Sequence, residues 1–195
     1  MKTCLLFITI IWFSPCRAQT ASEIRQGKEG RFLPSDSSYI YSLPFEKGRK
    51  YMLVQAYQSD FSHRDEYALD FKMKPGTPVC AARSGQVVAV REDSQKGGLK
   101  KENLSDGNYI IIRHDDGSEA HYWHLQYQGV LIREGDMVEK GQVIGHSGHT
   151  GYSAFPHLHF EVRSADEDGG RQIPTRFKTK KGIRYLKPMK WYRSI

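Results

Sequence analysis

From Tyr67 onward the chain is written in short runs of β-branched and aromatic residues, each closed by a turn signal. Residues 67–71, 79–82, 86–90, 109–113, 120–125 and 143–145 have the length and composition of strands. Pro75-Gly76, Ser84-Gly85, Asp116-Gly117 and Glu134-Gly135-Asp136 supply the reversals between them. No long amphipathic helical period and no fixed-period repeat interrupts this texture. The pattern predicts a mainly β, antiparallel sheet or sandwich domain. At 195 residues with 38% hydrophobic residues, there is material for one packed core and little more.

The N-terminus predicts the compartment. Lys2, an apolar run over 5–13 broken only by Thr9, and the small residue Ala18 read as a secretory signal peptide over residues 1–18. The run is well short of the roughly 20 apolar residues needed to span a bilayer, and no later segment comes closer, so no stable membrane span is expected. The expected location is extracytoplasmic. Lipidation at Cys16 is the alternative, although Phe13-Ser14-Pro15 is a poor approach to such a cysteine. Removal of the leader takes Cys4 and Cys16 with it and leaves Cys80, which cannot form an internal disulfide. Cys80 sits in a strand-like run and reads as a small buried hydrophobe. The fold must then be held by its core or by a metal. Residues 19–60 read as a lead-in segment with one or two strands, 61–165 as the core domain, and 166–195 as a basic C-terminal segment packed on it.

The formal charge of +7 suggests an anionic partner until it is located. Without the leader the chain has 27 basic and 22 acidic residues, and eight of the basic ones follow Pro174 in a stretch with no acid. The body is therefore slightly acidic, and no nucleic-acid partner is expected. The basic tail reads first as a final strand or two with lysines outward, and second as an anchor to an anionic wall polymer. Residues 93–108 form a long polar loop, a candidate rim for a site.

Eight histidines are present. In His157-Leu158-His159-Phe160, strand alternation sends the two imidazoles to one face and Leu158 and Phe160 to the core. The same rule buries Tyr67, Leu69 and Phe71 and turns Asp70 the other way. In residues 121–124 it groups His121 with Trp123, and His124 with Tyr122. Imidazoles with one carboxylate suit a catalytic zinc, which takes three protein ligands and keeps a position for water. His121 reads as structural or exposed, and His114 as solvent-facing or locally hydrogen-bonded. His146 and His149, in the glycine-rich turn 145–151, read as groove lining. That turn lacks the Gly-Lys-Ser/Thr ending of a phosphate loop.

Several motifs occur in a fixed order. They are Asp70-Phe71, Pro75-Gly76-Thr77-Pro78-Val79, Tyr122-x-His124-Leu125, Gly135-Asp136-x-Val138-x-x-Gly141-Gln142-x-Ile144-Gly145-x-Ser147-Gly148-x-Thr150-Gly151 and Pro156-His157-Leu158-His159-Phe160-Glu161. Over residues 63–163 the chain resembles the zinc metallopeptidases of the lysostaphin and LytM type, peptidase family M23. The resemblance implies a sheet domain of the duplicated-hybrid-motif kind, with Zn2+ held by Asp70 and His159. It implies that His124 and His157 flank the metal as catalytic groups rather than ligands. One position departs from the pattern: the family's first ligand histidine stands four residues before the aspartate, and here that residue is Glu66. Either a longer turn brings His63 to the metal or Glu66 supplies an oxygen; the polar, loop-like stretch 61–66 favours His63. The implied function is an exported zinc endopeptidase cutting peptidoglycan peptides. A degenerate, non-catalytic binding module is the alternative that Glu66 raises, and a secreted peptidase with a protein substrate is a third.

Overall fold

The computed structural model describes residues 39–165 and 170–195; the expected signal peptide lies outside the described residues. The chain begins with β1 (Ile40–Tyr41), β2 (Lys50–Gln55), β3 (Ala68–Lys72), β4 (Pro78–Cys80) and β5 (Gly85–Arg91). After β6 (Gly97–Gly98) and a 3-10 turn at Lys101–Ser105 come β7 (Tyr109–Arg113), β8 (Glu119–Trp123), β9 (Leu125–Val130) and β10 (Met137–Val138). The chain continues through β11 (Val143–Ser147), β12 (Gly151–Tyr152) and β13 (His157–Arg163), and ends with β14 (Arg176–Thr179), β15 (Gly182–Arg184) and β16 (Lys190–Arg193). No α-helix occurs among the described residues, as the strand-and-turn texture predicts.

Eight strands form one sheet in the order β10-β5-β7-β8-β13-β3-β2-β16, all in antiparallel pairs. The lead-in strand β2 lies beside β3, and the C-terminal strand β16 forms the sheet edge beyond it. A second sheet, β4-β11-β9, packs over one face. Alternation sorts the side chains: Leu69, Phe71, Ile110, Ile112, Tyr122, Leu158 and Phe160 turn inward and are at most 1% exposed. Burying each such side chain contributes about 1.5–3 kcal/mol. Val79, Leu125 and Ile144 of the smaller sheet, with Ala81 just past β4, complete this core. Tyr122 carries its hydroxyl into the core and satisfies it there by accepting from the Ala82 amide at 2.8 Å. Cys80 is buried, and burial pushes its thiol up to about 11, as befits a packing residue.

The C-terminal segment contributes Phe177, Tyr185 and Leu186 to the same core, and β14 runs parallel to β1. His114, 4% exposed, donates from Nδ1 to the Ser84 carbonyl at 2.9 Å. Its Nε2 has no hydrogen-bond partner, and burial pushes the imidazole down to about 4.

Candidate metal centre

β13 runs antiparallel to β3 with His159 directly opposite Asp70. Opposed residues share a face. The alternation that sends Leu158 and Phe160 to the core therefore brings His157, His159 and Asp70 together in a cleft of about 540 Å3 on the other side. His159 Nδ1 stands 3.0 Å from Asp70 Oδ1, and His157 Nε2 is 3.5 Å from the same oxygen. β3 is buried on both sides: Ala68, Leu69, Asp70 and Phe71 are all inaccessible.

His63 arrives from the connection between β2 and β3. The Glu66 amide donates to the His63 carbonyl at 3.1 Å, and Asp65 takes a φ of 79°, which reverses the chain. The imidazole then faces Asp70, with Nε2 3.2 Å from Oδ2. Glu66 lines the cleft but joins neither of the candidate metal-holding groups among the described residues. Those groups are His63, Asp70 and His159, and His124, His157 and His159, each with donor atoms within 4.8 Å of one another.

His124 corrects the strand-face assignment. Continued alternation would place it in the core with Tyr122, but its φ of 63° ends the alternation and turns the ring into the cleft. Its centroid lies 4.6 Å from that of His157 and 5.8 Å from that of His159. His121, assigned to the face opposite His124, is paired in register with Glu161 and sits on the cleft side of the sheet. It is buried between Glu119 and Glu161, at 3.5 and 3.7 Å, in a structural position.

Two backbone carbonyls fix the tautomers of the flanking imidazoles. Thr150 O lies 2.7 Å from His124 Nδ1, and Phe155 O lies 2.7 Å from His157 Nδ1. A carbonyl only accepts, so both protons sit on Nδ1 and both Nε2 atoms carry a lone pair. Burial lowers both rings, His124 to about 3. Burial opposes charge on Asp70 too, but hydrogen bonds from His159 and His63 outweigh it and hold the carboxyl well below its usual range. His159 is raised: burial works against its charge, and hydrogen bonding to Asp70 and Glu161 overcomes it.

The donor set fits zinc. Two imidazoles and one carboxylate form a usual catalytic triad of ligands, and the buried charge of Asp70 would neutralise part of a dication's. His63 Nδ1 has no hydrogen-bond partner, so that ring is placed by what lies at Nε2. Glu161 Oε2, 3.6 Å from His159 Nε2, stands where an orienting partner would sit if His159 held an ion through Nδ1.

Sequence reasoning did not single out Gln55, which donates to Asp70 Oδ2 at 2.7 Å. Gln55 falls in the lead-in segment expected to hold one or two strands, but only the irregular register between Leu53 and Gln55 sets that side chain opposite Asp70. The loop at 93–108 walls the cleft as expected, through Leu99 and Leu104, and residues 146–156 form a further wall through Tyr152 and Phe155. His149 bonds Ser153 at 3.0 Å and joins no metal-holding group among the described residues.

An antiparallel sheet carrying a buried carboxylate and converging imidazoles in an open cleft defines a β-protein with a candidate metal site. The chain belongs to peptidase family M23, whose family model matches residues 64–173. It is 40% identical over 95 residues to lysostaphin from Staphylococcus staphylolyticus, a match covering 49% of this chain and 18% of that one. It is 38% identical over 93 residues to the peptidoglycan DD-endopeptidase ShyA of Vibrio cholerae, covering 48% of this chain and 19% of that protein. The match thus spans less than a fifth of either relative's length. Among solved structures, a zinc-containing peptidase from Vibrio cholerae aligns with a TM-score of 0.50 at 25% identity, over 69% of this chain and 39% of the other.

Proposed function

We propose that the protein is an exported zinc-dependent endopeptidase that hydrolyses peptide bonds in bacterial cell-wall peptidoglycan. In this reading residues 1–18 are the signal peptide, 19–60 the lead-in, 61–165 the peptidase core and 166–195 a basic segment packed on it. The observation that carries the reading is the convergence of His63, Asp70 and His159 beside two imidazoles whose Nδ1 atoms are bonded to backbone carbonyls, all in one cleft.

His63, Asp70 and His159 would hold the ion. When bound, zinc supplies a Lewis acid that polarises the scissile carbonyl and makes water more acidic. Because the Thr150 and Phe155 carbonyls keep the protons at Nδ1, His124 and His157 present proton acceptors to the cleft. Either can take a proton from the attacking water; once charged, it can donate to the oxyanion or to the departing amine. Similarity to lysostaphin and to a peptidoglycan DD-endopeptidase supports a wall peptide as substrate. That substrate and the N-terminal leader support an extracytoplasmic location. No helix among the described residues is long and apolar enough to cross a membrane. The non-catalytic module had its motive in Glu66, and the approach of His63 to Asp70 supports the enzyme instead.

Metal analysis and digestion of purified peptidoglycan test this together. The expected result is about one zinc per chain and new amino termini released from the wall. Zinc-loaded protein that leaves wall and stem peptides intact would overturn it.

A further inference from the structure

Away from the metal cleft, the C-terminal segment folds around a second concavity of about 470 Å3. Seven of its lining residues are cationic, among them Lys50, Lys181, Arg184, Lys187 and Arg193, and none is acidic. Among the described residues, no carboxylate pairs with any of these seven. Arg184 and Arg193 each give one donor to a backbone carbonyl, of Lys181 and Gly48 respectively, and retain others. The backbone that carries these exposed cations is held in place. Tyr192 Oη accepts from the Lys187 amide at 2.7 Å, and β16 is paired along its length to β2. Trp191, 59% exposed, stands at this wall with Lys50 Nζ 5.4 Å from its ring centre.

Like charges crowded around a concave surface focus a positive potential, and a polyanion relieves it by releasing counterions. Seven positions along one cleft match repeated charges on a polymer better than a single small anion. An exposed indole next to them offers a flat apolar face to a sugar or polyol backbone. Nucleic acid fits less well, since single strands are held on successive aromatic platforms and Trp191 is the only strongly exposed aromatic of this cleft.

We infer that this cleft is a binding site for an envelope polymer carrying repeated phosphate groups on a sugar or polyol backbone, retaining the protein beside its substrate. The choice of an envelope polymer rests on the proposed extracytoplasmic function; the anion site itself does not. The cleft is at the β16 edge of the sheet, beyond β2, so a bound polymer leaves the metal cleft between β3 and β13 open.

The test is equilibrium binding of the purified protein to poly(glycerol phosphate) and to phosphorylated lipopolysaccharide core, each with its dephosphorylated counterpart, at several salt concentrations. The combined substitution Lys181→Gln, Lys187→Gln and Lys190→Gln alters only exposed side chains. Binding to at least one phosphorylated polymer is expected, weakening steeply with salt, absent for its dephosphorylated counterpart, and reduced at least tenfold in the triple variant. Zinc content and cleavage of a short soluble peptide should not change in that variant. Which polymer binds identifies the source. His159→Ala should retain polymer binding, so an inactive metal centre and a failed polymer site give different results. Equal binding by the triple variant, no binding to either polymer at low salt, or tighter binding to a single-stranded oligonucleotide would each overturn the assignment.

Discussion

Gln55 Nε2 lies 2.7 Å from Asp70 Oδ2 and 2.8 Å from Ser62 Oγ, so one amide group ties the carboxylate to the loop that carries His63. Its Oε1 accepts from the Ser62 amide and the Ser59 hydroxyl, both at 3.2 Å. Replacing Gln55 by alanine removes all four bonds without touching a proposed ligand. Zinc affinity, read by competition with a chelator, should fall about 10- to 100-fold, the usual cost of losing an outer-shell partner. Hydrolysis should return at saturating zinc; unchanged affinity would show that Gln55 plays no part.

His63 and His124 line one cleft but are assigned opposite tasks, and alanine substitutions separate them. His63→Ala should lose both zinc and hydrolysis. His124→Ala should retain zinc while hydrolysis falls about 10²-fold or more, the size expected for losing a proton-transfer group. Zinc loss in His124→Ala would favour the all-imidazole group of His124, His157 and His159 as the metal site.

Gly151 has a φ of +80°, and a Cβ there would lie 2.7 Å from the Gly107 Cα and 3.5 Å from His124 Nδ1. Gly151→Ala should destabilise the fold by about 1–3 kcal/mol from backbone strain, with more from the contact. It should also displace the Thr150 carbonyl that orients His124, so activity should drop further than the thermal midpoint alone predicts. Normal activity in a less stable variant would separate the two effects and contradict the orienting role.

His114 makes stability depend on pH. The folded state holds this imidazole at about 4, against 6.5 ordinarily. The unfolded chain therefore binds the proton more readily, and stability present above pH 6.5 is lost as pH falls towards 4. The full contribution is about 3 kcal/mol from the shift in proton affinity. His114→Asn keeps a donor near the Ser84 carbonyl but does not titrate, so its denaturant midpoint should vary less with pH over that interval. Parallel pH profiles for the two proteins would refute this.

The strands of the core were legible because their alternation is local: Leu158 against His159, Leu69 against Asp70. The same rule misplaced His124, because a single positive φ at a non-glycine residue leaves no periodic trace. The opposite side of β3 is covered by the loop after Gln55 rather than solvent, a tertiary fact that no window of residues encodes. Gln55 stayed hidden for the same reason, since its partner is fifteen residues away and meets it only through an irregular register. The basic tail was visible as composition, but its curvature into a cleft depends on β14 pairing with both β1 and β15 while β16 pairs with β2.

The seven-residue interval between His63 and Asp70 gives the candidate centre unequal supports. Asp70 and His159 stand on strands paired edge to edge inside an eight-stranded sheet, whereas His63 stands on a loop held by Gln55 with Ser59 and Ser62 and by the backbone bonds Gln58 to Glu66 and Glu66 to His63. Detaching such a loop costs far less than separating paired strands. In the proposed centre the His63 arm would therefore act as a latch: a bound ion would be released to a chelator by opening of that loop rather than by global unfolding, and the two strand-borne donors would remain to recapture it.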